Sequence, residues 1–393
     1  MRVFLCEKPS QGRDIAKVLG ATRRGEGCLI GTDSTITWCI GHLLETVPPE
    51  PYGIQYNNWS LDHLPIVPSQ WQVEVKPKTA AQFKVIKRLL SEATTVIIAT
   101  DADREGEMIA RELLELCKYR GPVQRLWLSA LNEASIRKAL SSLKCGQETY
   151  PLYHSALARS RADWLIGMNL SRLFTLLGRR AGYDGVLSVG RVQTPTLRLV
   201  VDRDRTIASF VSVPYWDVDV HLSSMGQPFV ASWQPPSLGR DEAGRCLQQA
   251  FVSQTVQAIS SSKTATVLSL QTEHSREPPP LPFDLSTLQE VCSRKLGLGA
   301  QETLNIAQAL YETHKATSYP RSDCRYLPES MFNEVPTVFD ALLKTDPALR
   351  PAFVRLDRSL HSRVWNDYKV SAHHGIIPTT EPANLARMSK QER

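Results

Sequence analysis

Several features are missing from these 393 residues, and each absence excludes something. No apolar run approaches the roughly 18 residues that a membrane span needs. The opening stretch, Met1 to Lys8, has no long apolar core, which argues against a secretory signal. The eight cysteines form no C-x-x-C pair, so neither a zinc ribbon nor a thioredoxin-type redox pair is supported. They read as reduced cytoplasmic thiols. No G-x-x-x-x-G-K-[ST] loop offers a nucleotide-phosphate cradle. Internal repeats and low-complexity tracts are absent as well. A strong excess of one charge is also lacking: 46 basic against 40 acidic residues give +6, weak evidence by itself for a nucleic-acid partner. What remains is 42% hydrophobic and 22% charged, an ordinary globular composition long enough for several domains.

The small excess of charge is concentrated. Arg159 to Arg205 carries nine arginines, four aspartates and no lysine, which is most of the net charge. Guanidinium forks suit phosphate oxygens. Trp164, Phe174 and Tyr183 add ring faces on which bases can stack. Gly178, Gly182, Gly185 and Gly190 allow close backbone approach. The competing reading is a solvated helix face over core aromatics.

Residues 1–145 alternate short apolar strands with helical spacing, which predicts a parallel sheet with crossovers. Strands are expected at Val3–Cys6, Ile36–Ile40 and Thr95–Ala99, and helices at Ser10–Leu19, Thr79–Ser91 and Glu107–Leu116. Residues 151–205 read as largely helical. Residues 215–274 read as β-rich, with strands at Tyr215–Leu222, Phe229–Trp233 and Ala265–Leu270. The proline-rich run 277–282 is a stiff connector. Helix returns over Leu285–Thr313 with a break at Gly297.

Directly after the apolar run 95–99 comes Asp101-Ala102-Asp103-Arg104-Glu105-Gly106-Glu107. If extended, the acids at 101, 103 and 105 point to one side. Clustered carboxylates demand a counter-charge, and Mg²⁺ prefers such oxygen ligands. Acids at a helix N-terminus are the bland alternative. Glu7 and Lys8 follow the first strand, so a parallel sheet would bring them to the same edge. An acid at one strand end with DxD at another is the arrangement of a Toprim fold. Lys8 suits phosphoryl charge.

Ser318-Tyr319-Pro320-Arg321 supplies a phenol able to attack a phosphodiester. Its ordinary pKa near 10 calls for a neighbouring base or cation. Pro320 disfavours helix at Tyr319, and Arg321 is spaced to brace a phosphate. A buried tyrosine before a loop is the competing reading. Near the end, His373-His374-Gly375 offers imidazole, for phosphate more readily than for metal.

Together these segments resemble the type IA DNA topoisomerases, nearest the bacterial topoisomerase III branch. The resemblance rests on Leu5-Cys6-Glu7-Lys8-Pro9-Ser10, Gly41-His42-Leu43-Leu44-Glu45, the acidic run 101–107, Arg161-Ala162-Asp163-Trp164-Leu165, the segment Leu187 to Pro195, Ser318 to Arg321, and His373 to Thr379, in family order along the chain. It implies a multidomain α/β plus α+β architecture: a Toprim domain (1–145, a Rossmann-like parallel sheet), then the catalytic region 152–393. Within that region it implies a helical arginine-rich part (152–212), a β-rich arch (213–277) and a helical part with the tyrosine (278–380). Residues 381–393 would begin a return segment.

The resemblance also implies roles. Tyr319 would be the nucleophile that keeps the 5′-phosphate. Glu7, Asp101, Asp103 and Glu105 would hold Mg²⁺, and Glu7 would also handle the leaving 3′-oxygen's proton. Lys8 and Arg321 would stabilise the phosphate, and His373 would contact it. Trp59, Trp164, Arg172, Arg179, Arg321 and the run Ser188, Val189, Gly190, Arg191, Val192 and Gln193 would contact DNA. The expected activity is ATP-independent cleavage, passage and rejoining of single strands in negatively supercoiled or catenated DNA. The expected setting is a cytoplasmic, nucleoid- or plasmid-associated monomer with a helicase partner and no membrane contact. Because the sequence stops after the Ser389-x-x-Glu392 capping box, an incomplete ring, exposed apolar surface and impaired strand passage are expected. Two other readings stay open: another Toprim phosphotransfer enzyme, or a non-catalytic single-strand-binding fragment.

Overall fold

In the computed structural model, which describes residues 1–357, 359–370 and 373–393, the apolar runs of the first 145 residues become adjacent strands. The chain lays down β1 (Arg2–Cys6), β2 (Arg23–Gly25), β3 (Cys28–Ile30) and β4 (Ser34–Trp38). A separate antiparallel pair, β5 (Leu44–Thr46) and β6 (Val73–Val75), follows, then β7 (Thr95–Ala99), β8 (Val123–Arg125) and β9 (Lys144–Cys145). One seven-stranded sheet has the order β2-β3-β4-β1-β7-β8-β9. Its centre, β4-β1-β7-β8, is parallel as expected. Both edges are antiparallel, which the parallel reading did not include. The fourth strand also begins and ends two residues earlier than expected, because Cys6 pairs with Trp38 at the end of β1 and Ile40 is exposed.

Alternation sorts the two faces. Phe4, Cys6, Ile97 and Ala99 join one buried cluster; Leu5, Val96 and Ile98 join the other. Helices α1 (Pro9–Leu19) and α4 (Glu133–Ser141) cover the first face through Ile15, Ala16 and Ile136. Helices α2 (Ala80–Glu92) and α3 (Arg104–Leu116) cover the second through Ile86, Leu90, Ile109 and Leu113. Each of these isoleucine and leucine side chains contributes about 2 kcal/mol by leaving water. Pro9 opens α1 at its first turn, and Gly20 (φ 68°) ends it in the left-handed region.

The chain forms two compact units. The larger holds residues 1–191 and 279–393. Beyond the sheet it contains α5 (Gly146–Arg180), followed by a loop within the stretch 151–205 that was read as largely helical. It also contains α8 (Leu285–Leu296), α9 (Ala300–Glu312), α10 (Val335–Thr345) and α11 (Arg350–Phe353). Asp284 caps α8, and Gly297 (φ 68°) separates α8 from α9, at the expected break.

The smaller unit, residues 192–278, contains α6 (Gln193–Ala208), a hairpin of β10 (Asp219–Ser224) and β11 (Gln227–Ser232), and α7 (Gln249–Ser261). Met225 and Gly226 both have positive φ, as a tight hairpin turn requires. Two expectations fail here. Residues 249–261 are helical because Val252, Val256 and Ile259 recur at helical spacing. Residues 265–270 form no strand: Val267, Leu268 and Leu270 stand exposed without a pairing strand. Among the described residues no helix is long and apolar enough to cross a membrane. All eight cysteines are free.

Candidate active site

The acidic run does not stay extended, so its acids do not share one side. Only Asp101 and Ala102 lead out of β7; Asp103 caps α3, its Oδ1 accepting the Gly106 amide at 2.7 Å. Gly106 is required here, since a Cβ would lie 2.2 Å from the Asp101 carbonyl oxygen. Helical geometry then turns Glu105 outward, where it is half-exposed and pairs with His42 at 3.7 Å. His42 also meets Glu112 at 3.6 Å. These two carboxylates raise His42 to about pKa 9, and His42 in turn lowers Glu105.

Glu107 turns inward and is fully buried. Its Oε1 accepts from Arg111 Nε (3.0 Å) and the Thr149 hydroxyl (2.9 Å), and its Oε2 accepts from Arg125 Nε (3.0 Å). Arg125, also fully buried, donates to the carbonyls of Ile98, Thr100 and Asp101, the last at 2.6 Å. This network ties the exit of β7 to the rest of the sheet.

Sheet register brings the first acid to the second. Cys6 lies opposite Ala99, and the Asp101 amide donates to Glu7 Oε2 at 3.1 Å. Lys8 Nζ reaches Asp101 Oδ2 (3.3 Å) and Glu312 Oε1 (2.8 Å), while Gln11 donates to Asp101 Oδ1 (3.2 Å). Burial, helped by the Asp101 charge, pushes Glu7 up to about pKa 7. Burial also raises Asp101. For Lys8, burial works against the charge, but Asp101, Glu312 and Glu7 outweigh it and its pKa lies above the ordinary value.

Tyr319 enters this cluster from 216 residues away, donating its hydroxyl to Asp103 Oδ2 at 2.9 Å. Its ring is buried in the same cluster as Phe4 and Cys6, edge-on to Tyr311 at 5.5 Å and stacked on His373 at 4.3 Å. The backbone fixes the segment from two sides. Tyr319 N donates to Ser129 O (3.1 Å), and Ser318 N to Ile377 O (2.9 Å). Burial first, then Asp101 and Asp103, hold the phenol far above its usual pKa. Arg321 is exposed. His373 is 4% exposed, and among the described residues neither ring nitrogen has a hydrogen-bond partner. Burial pushes it down to about pKa 4, so the imidazole is neutral.

Glu7, Asp101 and Asp103 are therefore close, hard-oxygen and short of positive charge. Among the described residues no group of three or more His, Cys, Asp or Glu stands ready to hold a metal ion by itself. The donor set fits a hard cation that keeps water or phosphate ligands rather than one in an all-protein cage.

The expected DNA contacts divide. Trp164 is not an open stacking face: it is buried, its indole donates to Val47 O (2.9 Å), and Tyr52 and Trp71 pack edge-to-face with it. Arg172 is buried too, donating to Glu50 (2.6 Å) and Tyr56 O (2.9 Å), with its guanidinium over Trp59. Arg179 is exposed above the same Trp59 ring, and Arg191 is exposed and paired with Asp163 at 3.0 Å. Ser188, Val189, Gly190 and Arg191 belong to the larger unit, Val192 and Gln193 to the smaller. A cleft of about 420 Å³, lined by His42, Lys76, Glu105, Arg159, Asp163 and Trp164, lies beside the acidic run.

Sequence reasoning quoted His42 and Glu107 within motifs but gave them no role, and it missed Arg125, Trp127 and Glu312 as parts of this region. The one available signal was Arg125 next to a strand-like Val-Gln pair, a charge with no surface reason to be there.

Two family descriptions match the chain: Toprim domain over residues 2–131 and DNA topoisomerase over residues 147–393. The chain is 44% identical over 395 residues to DNA topoisomerase 3 of Salmonella typhimurium, covering 98% of this chain and 61% of that protein. It is 42% identical over 404 residues to DNA topoisomerase 3 of Vibrio cholerae (100% and 62%), and 37% over 397 residues to that of Bacillus subtilis (100% and 52%). It thus spans between about half and about three-fifths of these relatives' length. In fold it is similar to full-length topoisomerase I from Thermotoga maritima, with a TM-score of 0.64 at 24% identity, over 99% of this chain and 56% of that one. With one family match covering well over half its residues, and relatives above 40% identity along its whole length, the chain belongs to the type IA DNA topoisomerases and is topoisomerase III-like.

Proposed function

We propose that this chain carries the strand-cleaving and rejoining centre of a type IA DNA topoisomerase, with Tyr319 as nucleophile. The observation that carries the reading is the 2.9 Å hydrogen bond from the Tyr319 hydroxyl into the acidic cluster of a Toprim sheet. A Toprim enzyme of another kind has no use for a phenol in that place.

In the forward step the Tyr319 oxygen bonds to phosphorus while the P–O3′ bond breaks, leaving the 5′-phosphate on the protein. Asp103 Oδ2 already accepts the phenolic hydrogen and takes the proton as the phenol attacks. Glu7, raised to about pKa 7, is populated in both protonation states near neutrality and gives a proton to the departing 3′-oxygen. Lys8 and Arg321 oppose charge on the phosphate. His373, neutral and with open nitrogens, offers a hydrogen bond to it. Reversal by the 3′-hydroxyl restores the strand, and because the ester conserves the bond energy no nucleotide is consumed. Glu7, Asp101 and Asp103 would hold Mg²⁺, which when bound neutralises charge on carboxylates and phosphate; Glu105 lies outside this group unless it leaves His42.

Exposed Arg179, Arg191 and the run 188–193 suit the backbone of a single strand, as exposed in negatively supercoiled or catenated DNA. A monomer working in the cytoplasm with a helicase that opens duplex accords with this reading. The test is a covalent adduct. With labelled single-stranded DNA and Mg²⁺, label is expected on the denatured wild-type chain and absent from Tyr319→Phe. An equal adduct from Tyr319→Phe, or none from wild type, overturns the assignment.

A further inference from the structure

His373 is buried to 4% exposure, yet among the described residues neither of its ring nitrogens has a hydrogen-bond partner. Hydrogen bonds therefore do not set the orientation of this ring. Stacking does. The imidazole lies on Tyr319 (4.3 Å between ring centres, 27° between planes) and on Trp127 (6.4 Å, 25°). Trp127 is held in turn by two cations over its ring, Arg125 at 5.1 Å and Lys144 at 4.7 Å. Cation–π contacts at such distances are attractive, and more so where water is excluded. Arg125 cannot drift, because its guanidinium is fully buried and bonded to Glu107 and to several backbone carbonyls at the exit of β7.

We infer that Trp127 is a positioning residue for the Tyr319 site, fixing the plane of His373 by stacking and linking that plane to the Arg125 network that also anchors Asp101. The inference rests on the nucleophile reading above. The indole faces the site through its stack on His373, so the effect on chemistry argued here passes through that ring. Aromatic stacking is conserved by phenylalanine and lost with leucine, which is apolar but has no π-face. One ring of the wrong tilt is enough to misdirect a hydrogen bond to a phosphate.

The experiment compares wild type, Trp127→Phe and Trp127→Leu, each also in a His373→Ala background. Adduct formation on a labelled single-stranded oligonucleotide is read beside oligonucleotide affinity. The expected result is a roughly tenfold slower adduct for Trp127→Leu at unchanged affinity, near-wild-type behaviour for Trp127→Phe, and no further loss for Trp127→Leu once His373 is alanine. An equal loss in both backgrounds overturns the inference, as does no loss in either. A second readout needs no activity: carbethoxylation of His373 by diethyl pyrocarbonate, followed by mass spectrometry. His373 should react several-fold faster in Trp127→Leu than in wild type or Trp127→Phe. If wild type forms no adduct, the nucleophile reading fails, and the modification rate alone decides whether Trp127 holds the ring; an unchanged rate overturns it.

Discussion

Replacing Glu107 with glutamine should cost far more stability than its conservative shape suggests. The carboxylate is fully buried and accepts from donors on both oxygens: Arg111 and Thr149 at Oε1, Arg125 at Oε2. A glutamine amide has one acceptor and one donor end. Whichever way it turns, an NH₂ group faces an arginine N–H. The substitution also strands Arg125, which has no exposure to water, without a counter-charge. Breaking a buried pair by removing one partner costs about 3–5 kcal/mol. That corresponds to a fall in melting temperature on the order of 10 °C for a unit of this size.

The assay is thermal unfolding followed by circular dichroism, with urea unfolding as a second measure. Glu133→Gln serves as the control, because Glu133 forms an equally good i,i+4 ion pair with Arg137 but on the surface. It should leave the midpoint unmoved. If Glu107→Gln also leaves it unmoved, buried charge at this position does not hold the sheet together, and the account of Arg125 as the anchor of the acidic loop falls with it.

Three further outcomes follow from the same geometry. Gly106→Ala places a Cβ 2.2 Å from the Asp101 carbonyl oxygen, so the acidic loop must move; adduct formation should fall at least 100-fold, and a rate within twofold of wild type would show that the loop tolerates displacement. Glu7 is raised from 4.5 to about 7 on folding, so its contribution to stability is complete below pH 4.5 and is lost as pH rises through 7. Glu7→Gln should therefore gain in melting temperature over wild type between pH 5 and pH 8; a constant difference across that range contradicts the raised pKa. His373 is lowered to about 4, so stability that is complete above pH 6.5 is lost as pH falls toward 4, and His373→Gln should flatten that limb of the acid-unfolding curve.

Much of the sheet was legible because its central strands are buried on both faces, and burial writes itself as bare apolar runs. Thr95–Ala99 is such a run, and its bounds match the strand. The edges were not legible. β2 and β9 are short and exposed, so no apolar pattern marks them. The apolar run near 265–270 misled for the opposite reason: β-branched residues form a strand only where another strand accepts their hydrogen bonds.

The site was legible as a set of residues but not as a geometry. Charge and spacing pick out Glu7, Asp101 and Asp103, yet the period-two argument fails at Asp103 because a cap residue ends one conformation and starts another. From that point a turn of 100° per residue sends Glu105 toward His42 and Glu107 toward Arg125, so two neighbouring acids serve opposite sides of one helix. Nothing local foretells this, since the partners lie 63 residues upstream and 18 downstream. The same holds for Tyr319. Its Y-P-R context fixes a turn, but the 216-residue closure onto Asp103 depends on Ser129 O receiving its amide and on Tyr311 and His373 receiving its ring within the buried cluster. A nucleophile delivered by packing has a consequence that a motif cannot express. Burial first, and then the acids that receive the phenol, keep it protonated, so the site is reluctant until opposite charge arrives.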